Sequence, residues 1–176
     1  EIDPAVVKVA QDPDYFTWIS DADVTVRVVE GDARLLLEDE RLNFDLLVLD
    51  AYSSDAVPVH LLTIEAMRTY VERLAPGGAM TLHISSRHLD LEPVVAANAA
   101  RLGLAALVRS DDGERSDQIA ADGTSSTWIV LAPDPKTLEP FDETPGWVPL
   151  RRGADDEPWT DDFSDVAGAI RWLPWN

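Results

Sequence analysis

The chain has 176 residues, 45% of them hydrophobic, and no cysteine. That is about one domain of sequence with enough apolar content for a core, so disorder over most of the chain, disulfides, thiolate zinc sites and cysteine nucleophiles are excluded. With 14 Lys and Arg against 33 Asp and Glu, the formal charge is −19, which argues against nucleic acid or anionic lipid as a partner and leaves a cationic ligand as the natural complement. No apolar run approaches the ~20 residues of a membrane helix, and no basic region precedes a signal-like stretch, so a cytoplasmic protein is the expectation.

Taken in chain order, Glu1-Ile2-Asp3-Pro4 reads as the end of a strand, and the domain is expected to lack its first βα unit. Val24 to Val29 is β-branched and bounded by Asp23 and Glu30-Gly31, which predicts a strand. Asp32 then opens a short helix over Ala33 to Glu38. Phe44 to Leu49 is apolar apart from Asp45, the pattern of a strand buried on both faces. Leu61 to Leu74 carries Leu62, Ala66, Met67, Tyr70, Val71 and Leu74 at helical spacing, and Pro76-Gly77-Gly78 stops it. A strand follows over Ala79 to Ile84, then a helix over Leu91 to Leu102 with Pro93 in its first turn and Gly103 after its end.

Leu104 to Val108 and Thr127 to Leu131 predict two more strands, separated by the polar stretch Ser110 to Ser126. This alternation implies an α/β fold: a mainly parallel, Rossmann-like sheet with helices on both faces and an antiparallel pair at one edge. Seven of the twelve prolines lie at or after Pro133. The expected organisation is therefore a domain over 1–132 and a Pro-rich wrapping tail over 133–176, ending in a short helix from Phe163 to Trp172.

In an open α/β sheet, ligands bind beyond the carboxyl ends of the strands. The residues expected there are Glu1 and Asp3, then Gly31 and Asp32, then Asp50 with the loop Ala51 to Pro58, then His83, Ser85, Ser86, Arg87 and His88. Carboxylates at three successive strand ends suit hydroxyl and amine donors, not phosphate. The only adjacent glycines are Gly77 and Gly78, and neither G-x-G-x-x-G nor a P-loop is present. A nucleoside without phosphates fits this pattern, one acid binding ribose hydroxyls and the next an adenine amino group.

The order E-I-D-P, G-D-A opening a helix, F-D-L-L-V-L-D with a Ser-Ser-Asp loop, L-L-T-x-E-A-x-x-x-Y, L-A-P-G-G and H-I-S-S-R-H-L-D-L resembles the spermidine synthase family. These are polyamine aminopropyltransferases on the class I S-adenosylmethionine-dependent methyltransferase fold. W-T-D-D at 159–162 resembles the tail of that group. The resemblance implies a donor, decarboxylated S-adenosylmethionine, whose ribose Glu1 would hold and whose adenine would sit beside Asp32 and Ala33. It further implies that Asp50 takes a proton from the attacking amine and that Asp55 binds the polyamine. The loop after Asp50 departs from the family's, being two residues longer and lacking its Asp-Pro. Tyr52, in the same loop, is a candidate to stack on the ligand.

Plainer readings stand beside these: Asp32 as a helix cap, Asp55 as a turn acid, His83 as a core histidine, Trp128 as packing, and Trp159-Thr160-Asp161-Asp162 as a cap for the final helix. The chemistry implied needs no metal, and the partner implied is a diamine such as putrescine, with a homodimer as the expected assembly. The alternatives are a small-molecule methyltransferase using S-adenosylmethionine itself, or a non-catalytic homologue acting by association.

Overall fold

A computed structural model describes residues 1–51, 58–86, 88–111 and 126–171. The chain forms two compact units, Glu1–Arg41 and Leu42–Asn176.

In the first unit, Asp3 accepts the Ala5 amide (2.8 Å) and Pro4 takes the first helical position of α1 (Pro4–Gln11). Asp followed by Pro is a helix-start signature, and at Asp3-Pro4 it takes the place of the expected strand end. α2 (Ala33–Asp39) is capped by Asp32. The strand expected over Val24 to Val29 does not form. The Glu1 nitrogen donates to the Val29 carbonyl (3.1 Å) and Gly31 donates to the Glu1 carbonyl (2.9 Å). That bond pair is one rung of a parallel ladder, with Glu1 opposite Glu30. Among the described residues nothing extends it, and Val24 and Val26 stay exposed. β-branched residues favour a pleated, half-buried surface, and a single rung does not supply one.

The second unit holds a five-stranded mixed sheet of β1 (Phe44–Leu49), β2 (Leu74–His83), β3 (Ala105–Asp111), β4 (Ser126–Ala132) and β5 (Val148–Pro149). Its order is β1-β2-β4-β3-β5. β1 and β2 pair in parallel, while β4 pairs antiparallel with β2 and β3, and β5 with β3. Strands β1, β2 and β3 thus share one direction, in the expected α/β arrangement. Helices α3 (Ile64–Glu72) and α4 (Glu92–Leu102) return the chain between them.

Alternation along β2 and β4 puts Met80, Leu82, Ile129 and Leu131 on one face, all fully buried. The opposite face carries Ala79, Val130 and Ala132, covered by Leu138 of the 3-10 segment Pro135–Phe141. β1 departs from the two-face burial expected of it: Leu46 and Val48 are 57% and 52% exposed. It is the edge strand, and the apolar run records pairing on one side only. Pro76-Gly77-Gly78, expected as a plain helix stop, lies in a break of the ladder where pairing jumps from Phe44–Leu74 to Leu46–Ala79. A Cβ at Gly78 would stand 2.7 Å from the Phe44 carbonyl, so the close backbone approach requires glycine. Gly103, left-handed at φ 68°, ends α4 as the sequence implies.

The tail after Ala132 contributes β5 and then a clamp. Ile64 donates to the Trp159 carbonyl (2.8 Å), Thr63 Oγ1 to Asp161 Oδ1 (2.7 Å), and the Asp161 amide to Glu65 Oε2 (3.0 Å). Trp159 to Asp161 therefore fastens the start of α3 and does not cap a final helix. The helix expected from Phe163 is absent as well. Asp165 accepts the Gly168 amide in a turn, and the chain then bridges Leu89 with Ile170, while Arg171 donates to the His88 carbonyl. Side-chain capping of a turn and pairing with a neighbouring segment compete directly with helix formation; Trp172 lies outside the described residues.

Burial, then the neighbouring Asp90 carboxylate, hold the Glu92 carboxyl above the ordinary carboxylate range, with Arg171 partly offsetting them. The native state therefore binds this proton more tightly than the unfolded chain does. The resulting destabilisation is absent below the ordinary carboxylate range and develops as pH rises through the raised value. Glu92→Gln is expected to raise the melting temperature at pH 7 and to leave it unchanged near pH ~3, read as melting curves of both proteins.

Candidate functional site

Asp50 follows the last residue of β1, and His83 is the last residue of β2, where Leu49 pairs with Leu82. The register carries the carboxylate and the imidazole to the same end of adjacent parallel strands. Asp50 Oδ1 lies 2.7 Å from His83 Nδ1, and His83 Nε2 lies 2.7 Å from Ser85 Oγ. Ser85 Oγ in turn accepts the Thr127 amide at 2.8 Å, which ties it to the first residues of β4. Trp128, opposite His83 on β4, stacks on the imidazole with centroids 4.6 Å apart and planes 15° from parallel. Side-chain exposure is 25% for His83 and 54% for Asp50. The carboxylate thus reaches solvent while its partner is held in place.

The bond directions follow from donor counting. An ionised Asp50 only accepts, so Nδ1 carries hydrogen. In the neutral ring Nε2 then accepts from the Ser85 hydroxyl, whose oxygen is left for the Thr127 N–H. Every member has a role compatible with its neighbours, the condition under which a polar chain is rigid.

Beyond Trp128 the row continues to Arg109, opposite it on β3. There a cavity of about 310 Å3 is bounded by Thr81, Arg109, Asp111, Trp128, Phe141 and Trp147. Phe141 and Trp147 meet edge to face at 5.0 Å. This concavity, aromatic-walled with one cation and one carboxylate, was not foreseen from the sequence.

Of the expected nucleoside residues, Glu1 and Asp32 come together in the first unit, at the end of the Glu1–Glu30 rung. Glu1 Oε1 accepts the Ile2 and Asp3 amides, both at 2.9 Å, and Asp32 Oδ1 accepts those of Arg34 (2.9 Å) and Leu35 (3.1 Å). Asp32 is therefore a helix cap in fact, the plainer of its two readings. Glu1 Oε2 has no hydrogen bond among the described residues. Gly31, at φ 142°, turns the chain from the rung into the Asp32 cap. Ala33 begins α2 and is exposed. Asp50 belongs to the second unit, and Tyr52 and Asp55 lie outside the described residues.

His83 is expected at the carboxyl end of its strand and, in the plainer reading, as a core histidine; its pairing with Asp50 depends on the β1–β2 register. A strand-end carboxylate and a histidine at the end of the next strand were both visible, but their register was not. Among the described residues no three His, Asp or Glu side chains gather as a metal-binding group.

No protein-family model matches the sequence, and no curated protein matches it. Among solved structures, the chain is similar to a probable spermidine synthase from Corynebacterium glutamicum ATCC 13032, with 15% identity and a TM-score of 0.61 over 94% of this chain and 63% of that one. It is also similar to MNMC2 from Aquifex aeolicus, with 20% identity and a TM-score of 0.40 over 72% of this chain and 39% of that one. The chain spans less than two thirds of the length of either. The first likeness establishes the fold, the α/β architecture shared with that synthase.

Proposed function

We propose that the chain serves an aminopropyl transfer from decarboxylated S-adenosylmethionine to a diamine such as putrescine, in the cytoplasm and as a homodimer. The observation that carries this reading is a solvent-reaching carboxylate, Asp50, at the carboxyl end of β1 and backed by His83 at 2.7 Å. An alkyl diamine is protonated near neutral pH, with a pKa of ~10 like a lysine side chain. Asp50 would accept one proton from the ammonium, directly or through a water. The freed nitrogen lone pair then forms a bond to the carbon beside the sulfonium. The C–S bond breaks with its electron pair on sulfur, leaving neutral methylthioadenosine and a new secondary ammonium.

Glu1 is assigned to the ribose hydroxyls and Asp32 with Ala33 to the adenine edge. The unengaged Oε2 of Glu1 supports that assignment. Asp55 is assigned to the amine from the family resemblance, and Tyr52, in the same loop, to stacking on the ligand. The net charge of −19 favours accumulation of a dication over an anion.

Calorimetry on the folded full chain tests the nucleoside half of this reading. Methylthioadenosine is expected to bind, and Glu1→Gln to weaken it by roughly 10- to 100-fold, since one charged hydrogen bond contributes ~1.5–3 kcal/mol. Heat with S-adenosylhomocysteine alone would favour the methyltransferase reading, and heat with neither would leave association as the function.

A further inference from the structure

The cavity beyond Trp128 has no part in the transfer reading, and all of its walls belong to the second unit. Directly opposed residues of paired strands point to one face. Arg109 therefore lies on the face of its partner Trp128, and Asp111, two residues further along β3, lies there as well. Thr81 reaches the same face from β2, opposite Val130. Phe141, the last residue of the 3-10 segment, and Trp147, just before β5, complete the wall. Trp128 also stacks on His83, so this one ring lies between the cavity and the Asp50 site.

Three aromatic side chains and a guanidinium share about 310 Å3, at the low end of the ~300–1,000 Å3 usual for small-molecule sites. Arg27, Arg34 and Arg171 each hold a carboxylate. Arg109 has no hydrogen bond or ion pair among the described residues, although Asp111 follows it on the same face. Gly146, at φ 96°, lies against its stem: a Cβ there would stand 3.5 Å from Arg109 Nε and 3.7 Å from Cδ. The backbone thus steadies the guanidinium without satisfying its donors.

We propose that this cavity is a second ligand site, for a small aromatic monoanion that brings a carboxylate to Arg109. A guanidinium presents parallel N–H donors that match the two carboxylate oxygens. A ring carried on that carboxylate would lie among Trp128, Phe141 and Trp147, where offset and edge-on contacts are favourable. Phe141 and Trp147 already meet edge to face at 5.0 Å, so part of the wall is set before a ligand arrives. Asp111 opposes a second negative charge, which favours a carboxylate over a phosphate ester. The net charge of −19 repels any anion at long range, so selection rests on direct contact with Arg109. The site stands whichever group Asp50 helps to transfer.

The test is calorimetry on the full chain with 2-naphthoate at millimolar concentration. Its uncharged isostere 2-naphthamide and the cation 2-naphthylmethylammonium are titrated alongside. Naphthoate is expected to bind roughly tenfold more tightly than either, or better, as a charge-assisted pair to Arg109 implies. Arg109→Gln is expected to remove that preference, whereas Arg27→Gln, in the first unit, leaves it unchanged. Arg109 is exposed, so its replacement should keep the fold, which a melting curve on the same sample checks.

Equal affinity for naphthoate and naphthamide would overturn the proposal. So would naphthoate binding untouched by Arg109→Gln, or no heat with naphthoate at all. A preference for the cation would overturn it too, and would make the cavity part of the amine site. 2-Naphthyl phosphate, with its second negative charge, is expected to bind less tightly than the naphthoate; tighter binding would overturn the choice of a carboxylate.

Discussion

Asp50→Asn is expected to remove most of the transfer rate, by roughly 10²–10⁴-fold, the range contributed by a positioned general base. Asparagine keeps the side-chain shape and still offers an oxygen to His83 Nδ1–H, so the loss isolates charge and proton affinity from geometry. Because Asp50 is more than half exposed, its replacement should shift stability by no more than ~0.5 kcal/mol. Initial rates at saturating diamine, with a melting curve on the same sample, check both halves. Wild-type turnover in a folded Asp50→Asn protein would remove Asp50 from the mechanism.

The largest expected effect on stability belongs to Trp159. Its side chain is 2% exposed, and its carbonyl and the neighbouring Asp161 hold the first turn of α3 through Ile64, Thr63 and Glu65. Trp159→Ala leaves a large cavity and loosens that clamp, at a cost of ~3–5 kcal/mol. For a chain of this size the melting temperature should fall by ~6–20 °C. Trp18→Ala, at a mostly exposed position, should cost under ~1 kcal/mol and serves as the control. A Trp159→Ala midpoint equal to that of Trp18→Ala would show that the tail does not fasten α3.

The sequence made the second unit largely readable because its signals are local. Phe44 to Leu49, Ala79 onward and Thr127 to Leu131 announce strands by β-branched and apolar runs, and Gly103 ends α4 through a conformation that favours glycine. Asp32 was legible as a cap for the same reason. Where structure depends on a distant partner, the sequence misled. Val24 to Val29 has the composition of a strand and only one ladder rung at its end. Phe163 onward looks helical, yet Asp165 turns the chain and Leu89 captures Ile170. The site divides in the same way: Asp50 could be picked out as a charge after an apolar strand, but His83 acquires its meaning only from the β1–β2 register.

That register also changes the chemical question. The carboxylate that faces solvent is held from behind by His83 and, through it, by Ser85.

The most direct measurement is product analysis by mass spectrometry after incubating the full chain with putrescine and each donor in turn. Formation of methylthioadenosine together with spermidine from the decarboxylated donor is the predicted result. S-adenosylhomocysteine with a methylated amine, formed from S-adenosylmethionine while the decarboxylated donor is left intact, would contradict it.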